Sequence, residues 1–104
     1  MNKMKRIFLC CNAGMSTSML VKKMKASAAE QNIDIEIEAF PLEKFNESIE
    51  TYDLCLLGPQ VRYKLEEFRK IAAEKNKKVE AINPMDYGMM KGDNVLKFAL
   101  ELLG

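Results

Sequence analysis

Four short apolar runs, each followed by residues at helical spacing, leave this chain few folds to choose from. The runs are Lys5–Cys11, Ile33–Ala39, Leu54–Leu57 and Val79–Ile82. Strands separated by a helix must run parallel, because the crossover carries the chain back over one face of the sheet. Alternation throughout therefore predicts an α/β fold, a parallel sheet with helices on both faces. Right-handed crossovers make a four-stranded, doubly wound layer the simplest solution, and the expected strand order is 2-1-3-4.

The local patterns fill in this frame. Lys5–Cys11 is apolar enough to be covered on both faces. Thr17 to about Gln31 reads as a helix, with Leu20, Met24 and Ala28 at four-residue spacing and Lys22, Lys23, Lys25 and Glu30 as its polar face. Asn32 is its expected stop. Ile33–Ala39 alternates isoleucine with Asp34, Glu36 and Glu38, the pattern of a half-exposed edge strand. Pro41 is expected in the first turn of a short helix burying Leu42, Phe45 and Ile49. Leu54–Leu57 reads as a central strand closed by Gly58-Pro59. Val61, Leu65, Phe68, Ile71 and Ala72 predict a helix ending near Asn76, with ion pairs Arg62–Glu66 and Glu66–Lys70 worth about 0.2–0.5 kcal/mol each. Asn83–Met90 reads as a loop or a single turn. Asp93 is the expected cap of a last helix burying Val95, Leu96, Ala99, Leu102 and Leu103.

Composition narrows the function. At 104 residues, 48% hydrophobic and 30% charged, the chain fits one globular domain spanning 1–104. Sixteen basic and fifteen acidic residues leave a net charge of +1, which supports neither nucleic-acid binding nor a polybasic membrane contact. The apolar run from Ile7 is shorter than the roughly 7–15 residues of a secretory core. No stretch approaches the roughly 20 residues of a membrane span, so no insertion and a cytoplasmic location are expected. Cys10, Cys11 and Cys55 are odd in number and lack zinc spacing, which fits reduced thiols and no metal. The chain has no histidine. That removes the usual general base, the usual metal ligand and the usual phosphohistidine carrier together.

The chemistry concentrates in Cys11-Asn12-Ala13-Gly14-Met15-Ser16-Thr17-Ser18. A strand delivers a thiol into small residues at a helix start, where backbone N–H groups and the helix dipole bind anions and lower a cysteine pKa. Hydroxyls of Ser16, Thr17 and Ser18 add donors, and Gly14 permits a tight turn. Cys11 is the candidate nucleophile. The alternative is a small core cysteine before a capping cluster. Cys10 and Cys55 lie inside apolar runs and read as core. Ligands in such sheets sit at the carboxyl ends of the strands, where the order reverses between strands one and three. Gln60 and Tyr87 are thus candidate rim residues, with plain loop packing the alternative for Tyr87. Met15 is either a docking contact or filler.

The spacing is similar to the phosphate loop of low-molecular-weight tyrosine phosphatases, Cys-x5-Arg-Ser, with Thr17 at the arginine position and Ser18 at the serine. Without the arginine clamp such a loop is suited to holding a phosphate on sulfur rather than hydrolysing it. Four motifs carry a more specific resemblance: the Cys11–Ser18 loop, Glu38-Ala39-Phe40-Pro41, Leu56-Leu57-Gly58-Pro59-Gln60 and Asp86-Tyr87-Gly88. Together they resemble the IIB component of the phosphoenolpyruvate-dependent sugar phosphotransferase system, in the cellobiose/diacetylchitobiose-like branch of the lactose/cellobiose family. The resemblance implies a monomeric phosphocarrier without cofactor, peripheral to the membrane through its partner IIC. It implies that Cys11, cradled by residues 12–18, takes a phosphoryl group from a histidine of the IIA component. The group then passes to a sugar, such as cellobiose or diacetylchitobiose, bound in IIC.

Overall fold

The computed structural model describes residues 4–11 and 15–104, with the side chains of Met15 and Ser16 outside that description. Four strands, β1 (Lys5–Cys11), β2 (Ile35–Pro41), β3 (Leu54–Leu57) and β4 (Lys78–Ala81), form one parallel sheet in the order β2-β1-β3-β4. The helices are α1 (Met15–Glu30), α2 (Phe45–Thr51), α3 (Leu65–Ala73), α4 (Pro84–Gly88) and α5 (Gly92–Leu103). Fold class and strand order are those expected from the alternation.

Side chains alternate across the sheet and so build two cores. Ile7, Leu9, Ile37, Leu54 and Leu56 pack under α1 and α5 with Leu20, Met24, Val95 and Leu96. Phe8, Cys10, Cys55, Leu57 and Val79 pack under α2 and α3 with Phe45, Ile49, Phe68 and Ala72. β1 and β3 are central, which explains their unbroken apolar character. β2 is an edge strand with only Ile37 buried.

Several boundaries differ from the sequence reading, each for a local reason. β2 starts at Ile35 because Asn32 takes a left-handed φ of 56° and the Ile33 N–H donates to the Ala28 carbonyl, closing α1. Asn76, with φ 58°, ends the α3 segment the same way, through the Lys77 N–H on Ala72. Pro41 does not start a helix. It ends β2, where an edge position tolerates a missing N–H, and a 3-10 turn at Leu42–Lys44 precedes α2. Leu42 is half-buried beside the buried Phe45 and Ile49. Before α3 the chain runs through a 3-10 segment, Pro59–Lys64, in which Val61 is non-helical. That turns Arg62 away from Glu66, and the ion pair formed is Lys64–Glu67 at 3.2 Å. Glu66 and Lys70 are exposed and form no ion pair among the described residues, as befits a contact too weak to hold two long side chains.

α1 extends two residues further toward the Cys11 loop than its periodicity suggests. Asp93 is not the cap of α5. Gly92 already starts that helix, and Asp93 Oδ1 accepts from the Asn94 N–H. A β-carbon on Gly92 would lie 2.6 Å from the Lys23 carbonyl carbon, so glycine lets α5 cross α1 at close range. Leu102 and Leu103 are half-buried rather than buried. Asn83–Met90 holds the single turn α4, capped by Asn83 Oδ1, which accepts from the Met85 and Asp86 N–H groups.

Candidate functional site

Cys11 is the last residue of β1, the strand flanked by neighbours on both sides. Parity along β1 turns it to the face of Ile7 and Leu9, opposite Cys10. It is 4% exposed and lines a pocket of about 270 Å³ with Thr17, Ser18, Ala39, Phe40 and Pro41. The first turn of α1 therefore stands beside the sulfur. That turn contains no acidic residue, so no carboxylate of its own offsets the positive end of the helix dipole. A wall of this kind favours an anion over a cation.

The β3 side of the site is built differently. Gly58 donates its N–H to the Cys10 carbonyl at 3.0 Å, which brings the turn after β3 against the end of β1. From the following 3-10 turn the exposed Gln60 reaches back, and the Cys11 thiol donates to its Oε1 at 3.9 Å. Tyr87 is buried, and its hydroxyl lies 2.9 Å from Thr17 Oγ1. It thus joins α4 to the first turn of α1 instead of lining open solvent. Thr17 is 1% exposed, so its hydroxyl is engaged in the packing at the site wall. Ser18 lies exposed beside it.

Asn12, Ala13 and Gly14 lie outside the described residues, as do the side chains of Met15 and Ser16. The walls that sequence reasoning left unassigned are Ala39, Phe40 and Pro41, whereas the turn at Gly58 falls on the rim expected at the switch point between β1 and β3. The parallel register sets Cys11 level with Pro41, so the end of β2 closes the pocket on one side. The signal of Ala39, Phe40 and Pro41 was present in the Glu38–Pro41 motif, but only the register turns it into a position. A wider cavity of about 540 Å³ opens between α3 and α5 at the β4 edge, lined by Arg62, Arg69, Glu80 and Phe98 among others. It holds no thiol, and Arg69 there is paired with Glu80 at 2.6 Å.

The other two thiols are sheet residues, and none of the three cysteines is in a disulfide. Cys10 and Cys55 are fully buried on the α2/α3 face, and Cys10 donates to the Pro41 carbonyl at 3.5 Å. Burial, followed by a hydrogen bond with Cys10, pushes the Cys55 thiol well above its ordinary 9.0. Such a thiol is not a nucleophile near neutral pH.

A parallel doubly wound domain with a cysteine at the end of its central strand and a helix start beside it belongs to the class that can handle an anion on sulfur. Comparison with known proteins narrows the class. The lactose/cellobiose-specific IIB subunit of the phosphotransferase system matches residues 6–98. The oligo-beta-mannoside-specific EIIB component of Bacillus subtilis (strain 168) is 41% identical over 100 residues, covering 96% of this chain and 97% of that protein. The galactose-specific EIIB component of Lactococcus lactis subsp. cremoris is 41% identical over 104 residues, covering 95% and 96%. The solution structure of a cellobiose-specific IIB component from Borrelia burgdorferi superposes with a TM-score of 0.81 at 38% identity, covering 97% and 93%. The chain belongs to the lactose/cellobiose-specific IIB family of the sugar phosphotransferase system. As a IIB component it is a phosphotransferase of sugar uptake that works with IIA and IIC partners. No helix among the described residues is long and apolar enough to cross a membrane.

Proposed function

We propose that Cys11 carries the phosphoryl group and that the 104 residues act as one phosphocarrier domain. The observation that carries this reading is the placement of Cys11 at the end of β1, in one pocket with Thr17 and Ser18 of the first turn of α1. Loading is an in-line displacement. The Cys11 thiol gives its proton to water, and the thiolate attacks phosphorus of a IIA phosphohistidine. The S–P bond forms as the P–N bond breaks, and its electron pair returns to the imidazole nitrogen, which takes up a proton from solvent and leaves as neutral imidazole. In the second transfer a sugar hydroxyl held by IIC attacks phosphorus. The S–P pair returns to sulfur as a thiolate, and the hydroxyl proton goes to a base on the IIC side.

Backbone N–H groups of residues 12–18 and the start of α1 are assigned to hold the phosphoryl charge through both steps. Thr17 supplies no guanidinium there, which favours passing the group on over hydrolysis. The sugar is assigned to the β-linked disaccharides such as cellobiose, which share the β-linkage of the oligo-β-mannosides named for one relative. The carrier works as a monomer in the cytoplasm, at the membrane face of IIC.

The test is intact-mass analysis after incubation with phosphoenolpyruvate, the general phosphotransfer proteins and a cognate IIA. The wild-type chain and Cys10→Ser gain one acid-labile phosphoryl group, and Cys11→Ser gains none. Phosphoryl uptake by Cys11→Ser together with its loss in Cys10→Ser would overturn the assignment.

A further inference from the structure

Gly58 has an ordinary extended backbone, φ −60° and ψ 150°, which any residue can adopt. Conformational freedom is therefore not why glycine stands there. A β-carbon at position 58 would meet Gln60 Oε1 at 2.9 Å and Cys11 Sγ at 3.6 Å. The missing side chain leaves the space into which the Gln60 carboxamide folds, and that carboxamide is what the Cys11 thiol meets at 3.9 Å. Gln60 is otherwise exposed. A long polar side chain folded from solvent onto a sulfur, through a gap kept by a glycine, has a chemical use.

We infer that Gln60 is a catalytic residue of the phosphoryl transfer, its carboxamide accepting from the Cys11 thiol in the empty carrier and turning to donate to the sulfur when it becomes a thiolate. A carboxamide is suited to this because it carries an acceptor and two donors on one rotatable plane. The neutral thiol uses Oε1. The thiolate, both as attacking group and as the group leaving when phosphorus departs to the sugar, uses Nε2. The bond to the charged sulfur is the stronger of the two, so the exchange favours the thiolate at both transfers. Thr17, Ser18, Ala39, Phe40, Pro41 and Gly58 around the sulfur are uncharged, so Gln60 acts without a competing ionic wall among them. This role deepens the phosphocarrier reading and rests on Cys11 being the group that loads.

Two readouts separate the claims. The first is the rate of Cys11 alkylation by iodoacetamide against pH, followed by intact mass and peptide mapping, which needs no phosphoryl donor. The second is the rate of phosphoryl uptake from IIA. Gln60→Glu, which sets a like charge beside the thiolate, is expected to raise the titration midpoint by about one unit. It should slow uptake at neutral pH about tenfold, with recovery at higher pH. Gln60→Leu should raise the midpoint by roughly half a unit. Gly58→Ala, which displaces only the tip of a flexible side chain, should shift it in the same direction without loss of thermal stability. Gln60→Glu and Gln60→Leu titrating with the wild type would overturn the role of Gln60. Failure of the wild type to load Cys11 would overturn the phosphocarrier reading instead, while the alkylation profile still decides whether Gln60 tunes the sulfur.

Discussion

The two ends of the sheet are built on opposite principles. At the amino end, polar groups are locked together. Arg6 stacks over the Tyr52 ring at 4.3 Å and pairs with Glu36 at 3.2 Å, while its backbone N–H donates to Asp53 Oδ2 at 2.8 Å. Lys77 Nζ donates to the carbonyls of Ile49, Glu50 and Tyr52 at 3.0, 3.4 and 2.7 Å, holding the end of α2. At the carboxyl end, around Cys11, the named walls are an apolar strand end, two hydroxyls and one amide. Ionic groups fasten the first end, and among the described walls of the Cys11 pocket there are none, which leaves that pocket open to a charge that arrives from outside. The fastened end and the candidate site are thus separated by the length of β1, about 17 Å from Arg6 to Cys11 at strand rise.

That separation can be broken from either end. The largest effect is expected from Asp53→Ala. Asp53 ties β1 to the start of β3 through its carboxylate and through its own N–H, which donates to the Arg6 carbonyl at 2.7 Å. Removing the carboxylate leaves a part-buried N–H unpaired and should lower unfolding free energy by about 2 kcal/mol in urea titration. Cys11 alkylation should stay at the wild-type rate. A change in that rate would show that the two ends are coupled. A smaller effect is expected from Tyr87→Phe. It strips the partner from the buried Thr17 hydroxyl and should lower stability by about 1 kcal/mol. Because Thr17 sits in the first turn of α1, phosphoryl uptake should slow several-fold, which Asp53→Ala should not do.

The locked end was hardly legible in the sequence and the open end partly so. Strand identity and order followed from continuous apolar runs in β1 and β3 and an alternating one in β2, because burial on two faces or one leaves that mark. Cys11 was visible because a thiol, small residues and a helix start stood together. The contacts that complete the site are not local. Thr17 meets Tyr87 across 70 positions, and Gln60 meets Cys11 across 49. Pro41 reaches the pocket only through the register of β1 with β2. Periodicity predicts which face a residue takes, but not which distant side chain faces it there. Boundaries failed for a related reason: Asn32 and Asn76 spend a residue on left-handed caps, and Pro59–Lys64 delays α3, all settled by backbone bonds rather than hydrophobic pattern.

The effect least felt at the candidate site concerns a thiol lying between the two ends. Burial, then the bond with Cys10, raises Cys55 well above 9.0, and Tyr52 is raised above 10.0 by burial and then by Glu36. In the unfolded chain both groups lose protons at their ordinary values. The folded form therefore binds more protons in alkali, and its stability falls as pH rises. The contribution of each group is fully present below its unfolded value. It is lost with a slope of at most about 1.4 kcal/mol per pH unit, first for Cys55 above about pH 9 and then for Tyr52 above about pH 10. Cys55→Ala deletes the first step, so its stability curve should stay flatter between about pH 8.5 and 10 and steepen only with Tyr52. It also lowers stability at every pH by about 1 kcal/mol through the small cavity, which leaves the shape of the curve as the informative quantity. Parallel curves for the two proteins over that window would mean that Cys55 ionises as readily in the fold as out of it. The view of Cys55 as an inert sheet thiol would then lose its electrostatic basis.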